Sequence, residues 1–410
     1  RVLGLAEMMD MPAVLRADAD VLEKIAASQE LGRALDGHAA GLEGVELLAY
    51  VATGIRSDHE STTAAEALAR ARLGMLVQVR EGSSARNLDA ILPLLAAGAL
   101  GDDWCLVTDD IFPDDLHARG HLDGLLRRLV AGGVPAATAV RHASLVPARH
   151  YGLKDSGAVA PGYRADLVVV DDLAAFQPRL VLRNGLVAAR DGICVAPTSA
   201  LRLPRDNTVH IAPIDESAFR LKLPSASCRV IIAIPGQIVT QSAVMNVSLA
   251  DGHWTFDANQ DVALIASIER HRATGRIGLG LVSGFSFKRH GAFGSSVAHD
   301  SHNLIVAGTN PGDMHTCVRA LAETGGGFVV ASQGEVRALL PLPFAGLLSL
   351  ESAEVVCGQL EATRQAAHAL GCTLAAPFGT LSFLALPVIP ELRITDQGLY
   401  DVCTQQFVKL

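Results

Sequence analysis

The chain has no surplus of positive charge: 34 Lys and Arg stand against 43 Asp and Glu, a formal net charge of −9. With no cationic excess to neutralise a phosphate backbone, neither nucleic acid nor an anionic membrane is expected as a partner. It also has no apolar run near the roughly 18 residues that cross a bilayer, and its start, Arg1-Val2-Leu3-Gly4-Leu5-Ala6-Glu7, has no basic stretch leading into an apolar one. A soluble, unexported, cytoplasmic protein is the expectation. None of the seven cysteines belongs to a Cys-x-x-Cys pair. Their odd number and wide scatter fit reduced thiols better than a disulfide framework or a thiolate zinc site. Short-period repeats and low-complexity tracts are missing as well.

What is present is globular. The 410 residues are 50% hydrophobic and 19% charged, with a mean hydropathy of +0.30, enough for two or three domains at roughly 150 residues each. The apolar-rich composition leads us to expect a homo-oligomer. The first third repeats a βα texture: short apolar segments at residues 2–6, 33–36, 54–57, 76–79 and 105–108, with helix-like segments at 63–73, 85–95 and 122–129. Thr63-Ala64-Ala65-Glu66 reads as a capping box that opens one of these helices.

From about Gly157 two strands flank an Asn184-Gly185 turn, a small β unit. Residues 203–222, with two prolines, mixed charge and little periodicity, read as a linker. Strands and helices then alternate to the end. The expected domains are 1–150, 151–205 and 206–410.

Each early strand end carries an ionisable residue: Glu7, His38 in Asp-Gly-His, His59 in Ser-Asp-His-Glu, Glu81 in Arg-Glu-Gly-Ser, and Asp109 in Val-Thr-Asp-Asp. Taken singly, either histidine reads first as a structural residue, and an Asp-Asp pair as a solvated turn or cap. Five in succession, each about one βα unit apart, read differently. In a parallel βα barrel all strand C-termini open on one face, so these groups converge. Unpaired carboxylates buried there would cost several kcal/mol each unless a cation compensates. Imidazole plus carboxylate is a ligand set for Zn, Fe or Mn centres that activate water.

In that order, Glu, His, His, Asp on successive strands resembles the amidohydrolase superfamily, metal-dependent hydrolases on a (β/α)8 barrel flanked by a small β-sandwich. Gly157-Ala-Val-Ala-Pro-Gly-Tyr-Arg-Ala-Asp-Leu-Val-Val-Val-Asp is similar to that superfamily's sandwich strand. A narrower resemblance is to the bacterial adenine deaminases. It rests on Gly4-Leu-Ala-Glu-Met-Met, Asp36-Gly-His-Ala, Gly54-Ile-Arg-Ser-Asp-His-Glu-Ser-Thr-Thr, Val79-Arg-Glu-Gly-Ser-Ser-Ala-Arg-Asn-Leu and Val107-Thr-Asp-Asp-Ile-Phe-Pro-Asp-Asp-Leu. It continues through His299-Asp-Ser-His-Asn-Leu-Ile-Val-Ala-Gly-Thr-Asn, Leu340-Pro-Leu-Pro-Phe-Ala-Gly-Leu and Leu381-Ser-Phe-Leu-Ala-Leu-Pro-Val-Ile-Pro-Glu-Leu.

The resemblance implies an α/β protein: a TIM-like barrel, a small flanking β-sandwich and a C-terminal α/β domain. One departure is large. The family places a His-x-His pair on its first barrel strand, and none of the fourteen histidines here forms one. A chain that begins at Arg1 with five barrel strands visible is therefore expected to lack the N-terminal part of that barrel.

The implied activity is hydrolytic deamination of adenine to hypoxanthine and ammonia by a metal-activated hydroxide, with a binuclear Mn, Fe or Zn centre. Glu7 would bridge two ions, His38 and His59 would hold one, and Asp109 would bind the other and shuttle the proton. Glu81 is the candidate acid for ring N1, and Asp110 for reading the N7 edge. Arg80, Ser83 and Arg86 could orient the ring, although Arg80 and Arg86 read equally as salt-bridge residues. The cluster His299-Asp300-Ser301-His302-Asn303 reads either as a hydrogen-bonded turn into a strand at 304–307 or as a lid or third site facing the barrel mouth. Two alternatives are another amidohydrolase acting on a cyclic amide, and an inactive, metal-poor fragment or pseudoenzyme.

Overall fold

The computed structural model describes residues 2–196 and 206–410. They fall into two units, Arg1–Leu201 and Arg202–Leu410.

In the first unit five short strands run β1 (Gly4–Met8), β2 (Ala34–Gly37), β3 (Ser57–Asp58), β4 (Leu76–Arg80) and β5 (Trp104–Val107). Strands β1 and β2 pair in parallel, as do β3, β4 and β5. Between the two sets the Arg56 N–H donates to the Leu35 carbonyl at 3.2 Å and the Gly37 N–H to Ser57 Oγ at 3.2 Å. The described strands thus form one arc in chain order, with all C-terminal ends on one edge.

Helices α1 (Met11–Leu15), α2 (Ala19–Glu30), α3 (Gly44–Ala52), α4 (Ala64–Arg72), α5 (Leu88–Ala96), α6 (Pro113–Arg119), α7 (Leu122–Ala131), α8 (Ala136–Ala143) and α9 (Leu145–His150) fill the connections and the stretch that follows β5. Of these, only α4, α5 and α7 correspond to helix-like segments expected from the sequence. The capping box at the start of α4 is complete, with Glu66 N–H on Thr63 Oγ1 and Thr63 N–H on Glu66 Oε2. Leu88, Ile91 and Leu95 of α5 and Leu125 and Leu129 of α7 pack against Val77, Val79, Trp104 and Leu106 of the strands. Strand β4 is buried along its whole length, as a parallel strand covered on both faces should be.

An antiparallel sheet of β6 (Leu167–Val170), β7 (Pro178–Arg183), β8 (Leu186–Arg190) and β9 (Ile193–Cys194) follows. Its β7–β8 turn is Asn184-Gly185 with φ of 51° and 78°, the left-handed pair that a two-residue hairpin turn requires.

The second unit is built on an eight-stranded mixed sheet. Its strands are β10 (Ser227–Ala233), β11 (Thr240–Asn246), β14 (Ala263–Ile268), β15 (Ile277–Ser283), β16 (Ala292–Ser295), β17 (Leu304–Gly308), β18 (Gly327–Ser332) and β19 (Glu335–Pro341), in the order β11-β10-β15-β14-β17-β16-β18-β19. A small hairpin, β12 (Leu249–Ala250) and β13 (His253–Trp254), lies between the second and third of these in sequence. Met314, Cys317, Val318 and Leu321 of α10 (Pro311–Thr324) enter the same core as Val230, Leu264, Leu304 and Val329.

The expected linker at 203–222 is corrected over its described part. Val209, Phe219 and Leu221 are buried in this core, so the segment belongs to the second unit. Its first residues, with the boundary at 205/206, lie at or outside the edge of the described residues. The His299-to-Asn303 segment is a turn leading into β17: the His302 N–H donates to the Ala298 carbonyl at 2.6 Å, and His302 Nδ1 accepts the Ala298 N–H at 3.2 Å.

Candidate functional site

The strand ends place the site. Glu7 lies on β1 one residue before its end, His38 directly follows β2, His59 and Glu60 follow β3, Arg80 closes β4, and Asp109 comes two residues after β5. Two local features bring β1, β2 and β3 together there. A Cβ on Gly37 would sit 2.4 Å from the Ser57 carbonyl oxygen, so only glycine admits that approach. Buried Tyr50 of α3 donates its hydroxyl to the Met8 carbonyl at 2.6 Å and accepts the His38 N–H at 3.0 Å. One phenol thus ties the end of β1 to the end of β2.

The side chains then meet. His59 Nε2 is 3.1 Å from Glu7 Oε2 and 3.4 Å from Glu60 Oε1. His38 Nδ1 is 3.6 Å from Glu60 Oε1 and 3.9 Å from Glu7 Oε2. Two donor groups result, Glu7/His38/His59 and His59/Glu60/Asp109, each with ligand atoms within 4.8 Å of one another. The sequence expectation grouped Glu7, His38, His59 and Asp109, and the structure brings these four together. It adds Glu60, which that reading did not single out.

Burial lowers the pKa of His38, an effect that Glu60 partly offsets. Burial acts on His59 in the same sense, but there the charges of Glu60 and Glu7 prevail and hold the imidazole above its ordinary value. Neither ring nitrogen of His38 makes a hydrogen bond, though both are out of reach of solvent. Buried nitrogens rarely go unsatisfied, and here Nδ1 faces the Glu7 and Glu60 carboxylates at a distance that leaves room for a cation. A cavity of about 480 Å3, lined by Ala6, Glu7, Met9, Asp36, His59 and Gln78, adjoins the cluster.

The remaining expected residues lie elsewhere or are already engaged. The Arg80 guanidinium, 1% exposed, donates from one nitrogen to both Glu60 Oε1 and Asp109 Oδ2, the latter at 2.9 Å, and from the other to Glu60 Oε2 at 3.1 Å. Of the two readings left open for it, the salt bridge is the one realised, and these nitrogens are occupied by protein carboxylates. Ser83 Oγ is likewise committed, donating to Asp115 Oδ2 at 2.6 Å and accepting the Phe112 N–H at 2.8 Å. Arg86 lies 3.6 Å from the same Asp115 carboxylate, with its side chain 39% exposed. The Asp110 backbone carbonyl accepts the Ser83 N–H at 2.8 Å. This contact needs Gly82, where a Cβ would come within 2.7 Å of that carbonyl oxygen.

Glu81 is not part of the cluster. Its Oε1 accepts from Arg128 at 2.5 Å and its Oε2 from the Leu88 N–H at 3.1 Å. It lines a separate cavity of about 240 Å3 with Thr108, Arg119 and His121. A carboxylate buried to 6% exposure needs such partners, and they hold Glu81 at that cavity, outside both donor groups.

Comparison with known proteins decides the family. Residues 2–189 match the amidohydrolase family, and residues 237–406 match the adenine deaminase C-terminal domain. The chain is 43% identical over 412 residues to an adenine deaminase of Desulfatibacillum aliphaticivorans, covering 100% of this chain and 72% of that protein. It is 44% identical to one of Methanothrix thermoacetophila, covering 98% and 70%. A third, from Nitratidesulfovibrio vulgaris, is 45% identical and covers 99% and 71%.

The chain belongs to the adenine deaminase family. Its barrel-type arc is accordingly that of the amidohydrolases, and as a member of this family it is a hydrolytic enzyme. Among solved structures, a beta-aspartyl dipeptidase from Fervidobacterium islandicum aligns over 48% of this chain and 59% of its own, at 18% identity and a TM-score of 0.39, a likeness too slight to bear on function.

Proposed function

We propose that this protein hydrolyses the exocyclic amine of adenine, yielding hypoxanthine and ammonia, at a divalent-cation centre held by Glu7, His38, His59 and Asp109. The observation that carries the reading is His38: a buried imidazole whose two nitrogens lack hydrogen bonds, set among carboxylates. A donor set of imidazole and carboxylate suits Mn, Fe or Zn. Glu7 and Asp109 fall in different donor groups, which favours a site for two ions. A bound cation of this kind lowers the pKa of water toward neutrality and so supplies a nucleophile at physiological pH.

The chain's own residues handle the protons. Adenine C6 becomes electrophilic when ring N1 receives a proton, and Glu60, the added carboxylate of the cluster, takes one of the two protons of the attacking water and passes it to N1, in place of Glu81. Asp109, its side chain one-third exposed beside the cluster, takes the other water proton and gives it to the departing amine, so both carboxylates end as they began. Water is consumed, the C6–N bond breaks, and ammonia leaves. Arg80 joins the two proton-handling carboxylates and fixes the distance between them. Asp110, next in the chain, remains the candidate for the N7 edge. In architecture, the arc and the small antiparallel sheet correspond to the barrel and sandwich portions of the amidohydrolase fold.

The test is ammonia release from a panel of purines, pyrimidines and cyclic amides by protein loaded with Mn2+, Fe2+ or Zn2+. Adenine should be turned over selectively. Release from a cyclic amide but not from adenine, or no release of ammonia from adenine by metal-loaded protein, would overturn the assignment.

A further inference from the structure

Behind the two histidines lies a buried ion pair that touches neither donor atoms nor cavity. Arg70, on the last turn of α4, is 1% exposed, and Asp58, the last residue of β3, is 0% exposed. Arg70 Nε donates to Asp58 Oδ2 at 2.8 Å. Its second terminal nitrogen donates to the carbonyls of Ala39 at 2.6 Å and Leu42 at 3.3 Å. Asp58 Oδ1 accepts the Ala39 N–H at 2.8 Å, and Oδ2 also accepts from Ser61 Oγ at 2.9 Å.

Ala39 follows His38, and Asp58 precedes His59. The pair therefore grips both polar backbone groups of Ala39, the N–H through the carboxylate and the carbonyl through the guanidinium. It anchors them to the residue from which His59 departs. A buried ion pair is often no more stabilising than apolar residues of the same volume, so stability alone gives little reason for one here. Its connectivity offers another. The fork geometry of arginine allows simultaneous contact with a carboxylate and with carbonyls at a fixed spacing, which a lysine ammonium cannot reproduce.

We propose that Arg70 is a positioning residue, which through Asp58 and the Ala39 peptide sets the spacing of the His38 and His59 imidazoles and thereby the affinity for a divalent cation. The inference rests on the cation reading above. Groups that orient metal ligands from behind change affinity by about 10–100-fold when altered.

The test titrates metal-free protein with Co2+, following its visible absorption, for the parent, Arg70→Lys, and the charge-neutral Asp58→Asn/Arg70→Met double variant. Melting of each protein is measured without metal. Both variants should bind Co2+ at least tenfold more weakly, with an altered spectrum, while the double variant, relieved of an unpaired buried charge, melts close to the parent. Failure of the parent to bind Co2+ would sink the cation reading itself. A parent that binds, with folded variants that bind within threefold and give the same spectrum, would overturn the role of Arg70 alone. Loss of fold in both variants would also overturn it, making the pair purely structural.

Discussion

Replacing Glu60 with glutamine separates the proposed acid from its neighbours with little change of shape. Glu60 receives both terminal nitrogens of Arg80 and lies within 3.6 Å of one nitrogen of each imidazole. Glutamine keeps one accepting oxygen, loses the charge, and turns an N–H2 group toward a donor. Removing one partner of a buried ion pair costs about 3–5 kcal/mol. Asp109 still pairs with Arg80 here, so the stability loss should be nearer 1–3 kcal/mol, the cost of a poorly satisfied buried polar group.

The effect on chemistry should be larger. An amide cannot protonate N1, and general acid catalysis is worth about 10²–10⁴-fold, so kcat should fall by that factor with KM changed far less. Glu81→Gln is the matched comparison. It weakens a pair with Arg128, whose side chain is 37% exposed and keeps Asp89 as a partner, so it should cost about 1 kcal/mol and less than tenfold in turnover. Steady-state ammonia release, melting curves and bound-metal analysis on both variants separate the outcomes. A Glu60→Gln protein retaining more than a tenth of parental kcat, or a metal-replete Glu81→Gln protein losing a hundredfold, would refute the reassignment.

Adding Mn2+ or Zn2+ at 100 times its Kd should stabilise the metal-free protein by about 2.7 kcal/mol, and His38→Ala should show a much smaller upward shift in melting temperature. An equal shift in the two would remove His38 from the site. In the second unit, burial tends to raise the pKa of Glu269, but the backbone N–H groups of Thr274, His271 and Arg272 outweigh it and hold the carboxylate at about 2 against an ordinary 4.5. A lowered folded-state pKa gives stability that is present above the unfolded value and lost as pH falls through the folded one. Glu269→Gln should therefore lower the melting temperature at pH 7, with the gap closing between pH 4.5 and 2; a pH-independent gap would contradict this. Thr63→Ala removes the hydroxyl that caps α4 and should cost about 1 kcal/mol in denaturant unfolding while leaving cation affinity unchanged.

How much of the fold could be read beforehand depended on how local its cause was. The α4 capping box and the Asn184-Gly185 turn are set by neighbouring residues, and both appear where their residue types demand them. Segments of mixed polarity misled. Helix α2 has only Val21 and Ile25 buried, so its apolar periodicity is faint. The stretch after residue 205 has no regular pattern, because its Val209, Phe219 and Leu221 reach the core from irregular backbone and a short 3-10 turn. Such burial depends on the partner surface and leaves no period to detect.

The grouping of Glu7, His38, His59 and Asp109 was legible for a topological reason: consecutive parallel strands deliver their ends to one edge, so spacing along the chain becomes proximity in space. The partnership of Glu60 and Arg80 was not, because spacing says nothing of which way a residue turns once its strand has stopped, and β3 stops at Asp58. A signal for Arg80 did exist. Gln78 and Arg80 share one face of β4 by strand alternation, and two polar residues on one face of a fully buried strand indicate an interior lined with polar groups. An arginine pointing into that interior must find anions, since an uncompensated buried cation is costly. The carboxylates available at the neighbouring strand ends are Glu60 and Asp109. Once one guanidinium holds both, the position of each depends on the other, so losses from changing Glu60 and Asp109 cannot be added as if the sites were independent.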